Sequence, residues 1–506
     1  HLGPPSGVHR PHAMMSKTAI ALWGGPLGFL VALLFLPSGG EVNGAALAGT
    51  AWWMLWWWLG GAVSMGATSL LPLVLFPTFG VLELTATAAP FGSRFIWLFL
   101  GGFVLALALE RHGLHRRFAL HLLGGLGGGP RRTLFGFMLA TALLSMWISN
   151  TATTLMMLPM ATAVLGLLEE RGGPIRWGRA LILGIAYAAN VGGMATLVGT
   201  PPNAALAGVA SDRFGLDIGF TEWLAIGLPV SAILLFAVFA LLVGLHKVPR
   251  GGSSGAAEVI AAERRGLGAM TTAEKRVLVL FVGTAGLWML RVPLNVVLDG
   301  FFQLNDTSIA VAAAVGCFAV SAGSRSGSPS GSASKNDTPS AQDMAPRLLG
   351  RGDLGKLPWD ILLLFGGGLA LAKGFEAAGW AGAMADAAAG WGWPVLAMLA
   401  MVTIMGLFAT ELMSNLALTL LLTPVAGALA IGMGMHPLYF AVPVTLASSC
   451  AFMLPMATPP NAIVFASGRI EMSVMARTGI VLNFVACAII LFLWWLGAPE
   501  GWILAH

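Results

Sequence analysis

Two short stretches of this sequence repeat one pattern, ISNTATTLMMLP at Ile148–Pro159 and MSNLALTLLLTP at Met413–Pro424. Each one places a Ser-Asn pair inside apolar sequence and ends on a proline at the same spacing. A shift of 265 positions pairs Ser145 with Thr410, Ser149 with Ser414, Asn150 with Asn415, Thr154 with Thr419, and Pro159 with Pro424. Because polar groups inside apolar segments are costly unless they serve a purpose, the doubled pattern indicates a functional pair.

The composition predicts a membrane protein. Of 506 residues, 57% are hydrophobic and 10% are charged, whereas a soluble protein carries roughly 25% charged residues. Apolar runs near the ~20 residues that cross a bilayer recur from Ala19 to Leu496, so we expect a multi-pass protein of the cell (inner) membrane, in contact with the lipid bilayer. The net charge is only +5 and the basic residues lie between the apolar runs, which favours cytoplasmic loops over nucleic-acid binding.

Two further pairs of blocks follow the same order in both halves. GGFVLALALERHG at Gly101–Gly113 matches GGLALAKGFEAAG at Gly367–Gly379, and GTPPNA at Gly199–Ala204 matches ATPPNA at Ala457–Ala462. Three matched blocks in one order indicate an internal duplication. In membrane carriers such halves are often inverted about the membrane plane.

The matched blocks divide the chain. We predict an N-terminal tail at 1–18, a first repeat at 19–246, a polar bridge at 247–276 and a second repeat at 277–498. Inside the repeats we predict hairpin tips near 149–151 and 414–416, broken helices near 199–203 and 457–461, and a disordered Ser/Gly/Pro-rich loop at 321–356.

The repeated polar residues suit the tips of re-entrant hairpins. Ser, Asn and Thr offer uncharged oxygens and donors, and they also cap helix N-termini. Non-helical backbone survives at membrane depth only where it is buried in protein or lines a cavity. A single such triplet is more often a simple helix–helix contact, and only its repetition indicates hairpin tips.

The TPPN blocks predict helices that break in mid-membrane, because two consecutive prolines bar a regular helix. The carbonyls of Gly199 and Ala457 just before them become free to bind a hard cation, for which Na⁺ is the natural candidate. The new half-helices begin near Asn203 and Asn461 and direct their positive ends at the gap, which suits an anion. Broken helices at matching positions mark the site of a carrier, here with two cation sites flanking one anion.

Other classes of function fit the sequence less well. No G-x-x-x-x-G-K-[ST] motif for ATP binding occurs, so the energy for transport must come from gradients. An intramembrane enzyme is disfavoured because there is no HExxH motif and no convincing nucleophile–base pair. A channel would need a continuous pore, whereas paired broken helices favour alternating access. We predict no enzymatic activity and no organic cofactor.

These blocks resemble the divalent anion/sodium symporter family, the carriers of dicarboxylates, citrate and sulfate. The resemblance lies in SNT, TELMSN, both TPPN blocks, and the segments Leu98–Leu120 and Pro358–Gly379. It implies an all-α polytopic membrane protein with two inverted repeats, re-entrant helix hairpins and broken transmembrane helices. It also implies a homodimer whose protomers each combine a scaffold domain with an elevator-type transport domain.

The resemblance also assigns roles to individual residues. Sodium site 1 would use Ser145, Ser149, Asn150 and Gly199, and sodium site 2 would use Thr410, Met413, Asn415 and Ala457. The substrate would meet Asn150, Thr151, Asn415, Leu416, Thr200, Pro201, Thr458 and Pro459. The implied function is sodium-coupled symport of divalent anions, with C4-dicarboxylates such as succinate or malate as substrates.

Two positions leave alternatives open. The family's second triplet is often SNT, but Leu416 stands where Thr is expected and cannot bond a substrate oxygen. Loss of one neutral hydrogen bond costs roughly 0.5–1.5 kcal/mol, so a sulfate symporter is an alternative. A sodium-independent anion exchanger of the same fold is a further alternative, against which the intact hydroxyl and amide set at both cation sites argues. Glu411 lies beside Thr410 in apolar sequence; a structural acid that accepts from backbone donors of the hairpin is favoured over a proton or cation role.

Overall fold

The computed structural model describes residues 12–36, 42–125, 129–170, 177–251, 256–323 and 346–497. Within these ranges the protein is helical, and its β-structure is one isolated bridge, between Ser321 and Arg347. The predicted all-α fold is confirmed. Residues 1–11 of the predicted N-terminal tail lie outside the described residues.

The helices are numbered here in chain order. The first eleven are α1 His12–Phe35, α2 Gly44–Gly60, α3 Met65–Thr68, α4 Leu71–Thr78, α5 Leu84–Ala88, α6 Arg94–Arg111, α7 Leu114–Gly125, α8 Pro130–Ser145, α9 Asn150–Glu170, α10 Gly178–Gly193 and α11 Pro201–Phe214. The others are α12 Phe220–Leu245, α13 Ala256–Gly266, α14 Thr272–Val297, α15 Asp306–Ala319, α16 Trp359–Ala377, α17 Trp380–Gly390, α18 Val395–Ala409, α19 Asn415–Gly432, α20 Leu438–Ser448, α21 Pro459–Ala466 and α22 Met472–Trp495.

Six helical segments in the described ranges are long and apolar enough to cross a membrane. They are Leu84–Arg111, Asn150–Leu167, Phe220–Leu245, Thr272–Val297, Asn415–Gly432 and Met472–Trp495. Five shorter apolar helices accompany them, as expected when re-entrant and broken helices share the bilayer with full spans.

The chain forms two compact units. One contains His1–Ser93 and Trp359–Trp391, and the other contains Arg94–Pro358 and Gly392–His506. These units differ from the two predicted repeats, because each repeat contributes segments to both of them.

In the first unit, tryptophans of α2 pack on α1. Gly24, Gly25 and Gly28 of α1 lie directly under the indole rings of Trp56, Trp53 and Trp52, where a Cβ atom would clash. Pro26 lies inside α1 and cannot donate to the Leu22 carbonyl four residues earlier. The Trp57 Nε1–H replaces that donor, at 2.8 Å. The WWMLWWW segment is therefore a packing surface in this unit.

The Trp57 indole bond gives a testable prediction. Trp57→Phe leaves the Leu22 carbonyl without this donor, and a hydrogen bond of this kind is worth roughly 0.5–1.5 kcal/mol. Trp53→Phe is the matched control, because the Trp53 Nε1–H has no partner among the described groups. In thermal melts of the purified protein, Trp57→Phe should unfold at a lower temperature than Trp53→Phe. Equal melting temperatures would rule out the compensating bond.

The second unit contains two helical hairpins and two broken helices. Hairpin 1 joins α8 to α9 through 146–149, and hairpin 2 joins α18 to α19 through 410–414. Break 1 is the segment 194–200 between α10 and α11, and break 2 is the segment 449–458 between α20 and α21. The same order of elements therefore occurs twice, and α12 and α22 follow the breaks as equivalent helices.

The two repeats run in opposite directions. The end of α12 meets the beginning of its equivalent α22, where His246 Nε2 lies 3.4 Å from Thr478 Oγ1. Just before α22, Arg469 Nη1 donates to Glu169 Oε1 at the end of α9, at 2.7 Å. Since equivalent helices begin at opposite faces, the repeats are inverted.

The prediction of a disordered loop at 321–356 is wrong at its C-terminal end. The Leu348 N–H donates to the Val320 carbonyl at 3.0 Å. A 3-10 helix follows at Arg351–Lys356, and its Asp353 pairs with Arg111. The Ser/Gly/Pro composition stops short of this segment, which is held by buried leucines and an ion pair. The central part, 324–345, lies outside the described residues.

The predicted polar bridge at 247–276 contains a helix, α13, and a buried ion pair anchors the residues after it. Arg117 Nε of α7 donates to Glu274 Oε1 at 2.8 Å, and its Nη1 donates to the Gly268 carbonyl at 3.0 Å. Thr271 and Glu274 form a capping box that starts α14. The bridge is thereby fixed against α7.

Candidate functional site

The tip of hairpin 1 brings three oxygens together, a hydroxyl and two acceptors beside it. Ser145 Oγ lies 2.6 Å from Asn150 Oδ1 and 2.8 Å from the carbonyl oxygen of Ala189, in α10. A hydroxyl has one proton to donate, so one of these two acceptors lacks a donor from Ser145. A group of neutral oxygens held this close together is the kind of environment a hard cation prefers.

Break 1 packs directly against this tip. A Cβ atom added at Gly199 would lie 2.5 Å from the Gly193 carbonyl oxygen and 3.1 Å from that of Met146. One added at Gly193 would lie 2.6 Å from Asn150 Oδ1. Ser145, Asn150 and Gly199 are therefore brought together, with two backbone carbonyls beside them. Ser149 is exposed at the same tip.

Hairpin 2 repeats the arrangement. Thr410 Oγ1 lies 2.7 Å from Asn415 Oδ1 and 2.6 Å from the carbonyl oxygen of Ser448, in α20. Again three oxygens share one hydroxyl proton. Ala457 occupies the position equivalent to Gly199 and is 7% exposed, and Met413 is half-buried at the tip.

The asparagines of the TPPN blocks close the two breaks. Asn203 Nδ2 donates to the Thr196 carbonyl at 2.7 Å and to the carbonyls of Gly193 and Met194 at 3.2 Å. Asn461 Nδ2 donates to the carbonyls of Ala451 and Leu454, both at 3.1 Å.

The sequence predicted these asparagines only as the starts of the half-helices, whereas in the structure their side chains hold the carbonyls of each break together. Both are fully buried, and the half-helices begin earlier, at Pro201 and Pro459. Their presence at the same place in both blocks was the signal for a shared structural task.

Asn190 links the two repeats at the site. Its Nδ2 donates to Thr458 Oγ1 at 3.2 Å and to the Ala451 carbonyl at 3.3 Å. Thr458 Oγ1 also accepts the N–H of Asn461 as the N-cap of α21. Nothing in a single sequence singles out Asn190, because its partners lie 261 and 268 positions away.

The repeats pack crosswise. The half-helix α21 of the second repeat packs on α9 of hairpin 1, and α11 of the first repeat packs on α19 of hairpin 2. This packing brings four helix N-termini into one bundle, those of α9, α11, α19 and α21. Each N-terminus carries a partial positive charge, which can stabilise an anion without a cationic side chain.

The other predicted substrate residues differ in exposure. Thr151 and Pro201 are half-buried and Pro459 is exposed, whereas Thr200 and Thr458 are each 4% exposed. Leu416 is also 4% exposed. In this conformation little of the Leu416 side chain is available to a ligand, while the equivalent Thr151 is open to one.

Glu411 acts as a backbone clamp in break 2. Its Oε1 accepts the N–H groups of Phe452 and Met453 at 2.8 and 2.9 Å, and its Oε2 accepts that of Leu454 at 3.0 Å. Asn483 Nδ2 of α22 donates to Oε1 at 2.8 Å. This matches the expected structural role, although the donors lie in the broken helix and not in the hairpin.

The sequence resembles known transporters over nearly its full length. Residues 25–499 match the family described as "Sodium:sulfate symporter transmembrane region". The sodium-dependent dicarboxylate transporter SdcS of Staphylococcus saprophyticus is 36% identical over 478 residues, which cover 92% of this chain and 88% of that protein. SdcS of Staphylococcus aureus (strain USA300) is 34% identical over 484 residues, with the same coverage.

A solved structure has a similar fold. The crystal structure of the YdaH transporter of Alcanivorax borkumensis aligns with a TM-score of 0.55 over 83% of this chain and 89% of that one. The aligned sequences are 15% identical, so the similarity concerns the architecture alone.

Proposed function

Because the chain belongs to the sodium:sulfate symporter family, we propose that it is a sodium-coupled symporter of divalent anions, with C4-dicarboxylates such as succinate or malate as substrates. The observation that carries the proposal is the mirrored pair of oxygen clusters, Ser145 with Asn150 and Thr410 with Asn415. Each brings neutral oxygens together and contacts a broken helix. Two equivalent cation sites, one on each side of an anion site, suit the co-transport of sodium with an anion of double charge.

The proposed cation ligands come from both hairpins and both breaks. Sodium site 1 uses Ser145, Ser149, Asn150 and Gly199, and sodium site 2 uses Thr410, Met413, Asn415 and Ala457. All of these offer neutral oxygens from a side chain or the backbone, and hard cations prefer oxygen ligands. Sodium charge then offsets the anion's charge, so the substrate needs no Arg or Lys partner.

The proposed anion site lies between the hairpin tips. Asn150, Thr151 and Asn415 provide donors, and Leu416, Thr200, Pro201, Thr458 and Pro459 line the pocket. The N-termini of the four helices add electrostatic stabilisation. Two carboxylates at the two ends of a C4 chain match the twofold arrangement better than one compact anion does.

The proposed mechanism begins with sodium. Bound sodium supplies the positive charge that the oxygen clusters lack and fixes the hairpin tips, after which the anion binds. The loaded hairpins and broken helices then cross the membrane as the transport domain of an elevator, relative to a scaffold in a homodimer. No step requires a cofactor other than the coupling ion.

The charge distribution of the second unit gives its orientation. One face, at the ends of α6, α9 and α12 and at α13, carries a concentration of basic residues, among them Arg116, Arg131, Arg179, Lys247 and Arg264. Basic loops face the cytoplasm. We infer that hairpin 1 enters from the cytoplasmic side and hairpin 2 from the opposite side.

Uptake into proteoliposomes tests the proposed function. With an inward sodium gradient we expect accumulation of labelled succinate, and with potassium in its place we expect uptake near that of protein-free liposomes. Unlabelled malate should compete more strongly than sulfate. Uptake that does not depend on sodium but requires an anion inside the liposomes would indicate an exchanger. Sodium-dependent uptake of sulfate, with no uptake of succinate, would indicate a sulfate symporter.

A further inference from the structure

Two cavities in the second unit meet at one histidine. The first has a volume of about 360 Å³ and lies between α7 and α13, and the second has a volume of about 390 Å³ and lies between α7, α8 and α14. His121 lines both of them. Each volume alone reaches the range of ligand pockets, roughly 300–1,000 Å³, and the shared histidine makes the two cavities neighbours.

The first cavity is basic. Arg117, His121, Arg264 and Arg265 line it. Glu274 neutralises Arg117, but Arg264 and Arg265 are exposed and pair with no acidic residue in the described part of the chain. Two positive charges therefore remain at this end for an anion.

His121 links the basic and apolar ends. Its Nδ1 lies 2.7 Å from the Arg117 carbonyl oxygen. Since a carbonyl can only accept, Nδ1 carries the proton, which leaves Nε2 for a polar group of a ligand. The histidine is thus a polar contact at the junction of the two cavities.

The second cavity is mostly apolar, with the two histidines His115 and His121 in its lining. Its lining includes Leu109, Phe118, Leu122, Leu143, Trp147 and Phe281. Trp147 lies in the turn of hairpin 1, so this cavity extends from the basic face toward the membrane interior. A site with a cationic end and an apolar end matches an amphiphile with an anionic head and a hydrocarbon chain.

We propose that the two cavities form one binding site for a phospholipid with an anionic headgroup. The phosphate binds Arg264 and Arg265, the glycerol region lies at His121, and one acyl chain occupies the apolar cavity. Basic pockets between helices on the cytoplasmic side are suited to anionic headgroups, and the basic face of this unit is the one that faces the anionic leaflet. The acyl chain then contacts hairpin 1 beside Ser145.

Lipid binding to the purified full-length protein tests the site. Native mass spectrometry with phosphatidylglycerol, and separately with phosphatidylcholine, measures the affinity for each lipid. Each basic residue near an anionic lipid contributes roughly a factor of five, so R264Q/R265Q should weaken phosphatidylglycerol binding about 30-fold. The matched control is K247Q/R250Q, which removes two charges from exposed positions of the same face; it should change binding less than about threefold.

Two further arms test the apolar end. Leu122→Trp fills the apolar cavity and should also weaken phosphatidylglycerol binding, while Arg264 and Arg265 stay in place. Inorganic phosphate and glycerol 3-phosphate, which lack acyl chains, should not displace phosphatidylglycerol. Equal losses in the two double variants, equal affinity for both lipids, or displacement by free phosphate would each overturn the proposal.

Discussion

Asn150→Ala and Asn415→Ala are each expected to reduce sodium-driven succinate uptake more than about 100-fold. Each asparagine serves a cation cluster and, as proposed, a substrate carboxylate. Hydrogen bonds to charged groups are worth about 1.5–3 kcal/mol, so two lost contacts amount to roughly 3–6 kcal/mol, and 1.4 kcal/mol is a factor of ten. Initial rates in proteoliposomes, at matched protein content, give the measurement.

Asn295→Ala provides the control for folding. Asn295 makes two bonds of 2.8 Å with the backbone of Leu304 at the end of α14, and it belongs to neither hairpin. We expect its transport rate to stay within a few-fold of the wild type. All three variants should elute as the wild type does in gel filtration. Near-normal uptake by Asn150→Ala or Asn415→Ala would refute the assignment of that site.

Gly199→Ala is expected to raise the sodium concentration for half-maximal uptake by about 10- to 100-fold. The added methyl group would lie 2.5 Å from the Gly193 carbonyl oxygen, so break 1 must move away from the tip of hairpin 1. Overpacking of this kind costs roughly 1–3 kcal/mol. We expect this cost to appear as weaker sodium binding, because the shift displaces the ligands of sodium site 1. A sodium titration of uptake measures the shift.

The second repeat supplies the matched variant. Ala457 is the equivalent of Gly199, so Ala457→Gly removes a methyl group that break 2 already accommodates. We expect the sodium concentration for half-maximal uptake to change less than about threefold, because no neighbour has to move. If Gly199→Ala had as small an effect, the close contact between break 1 and hairpin 1 would have no role in sodium binding.

The sequence located the elements of the site because they occur twice. Asn150 and Asn415 stand at equal positions in repeated blocks, and the double prolines mark breaks for a steric reason that needs no tertiary information. Local signals of this kind also predicted the helical fold. The relation between Ser145 and Asn150 was accessible in the same way, because they are five positions apart.

Contacts between distant segments were not accessible. The amide of Asn190 meets Thr458, and the carboxylate of Glu411 meets backbone donors more than 40 positions away. Such pairs depend on how broken helices pack, which composition and periodicity do not encode. The ordered end of the 321–356 segment was missed for the same reason, because Arg111 holds Asp353 from 242 positions away.

The crosswise packing of α21 on α9 has a consequence for biosynthesis. Hairpin 1 leaves the ribosome early, but the half-helix that covers it follows about 300 residues later, since α9 begins at Asn150 and α21 at Pro459. At a translation rate of roughly 5–20 residues per second, the polar tip remains without its partner helix for on the order of 15–60 s. We therefore expect an isolated first half to be a target for membrane quality control, and the nascent chain to need shelter at the insertion machinery until its second half arrives.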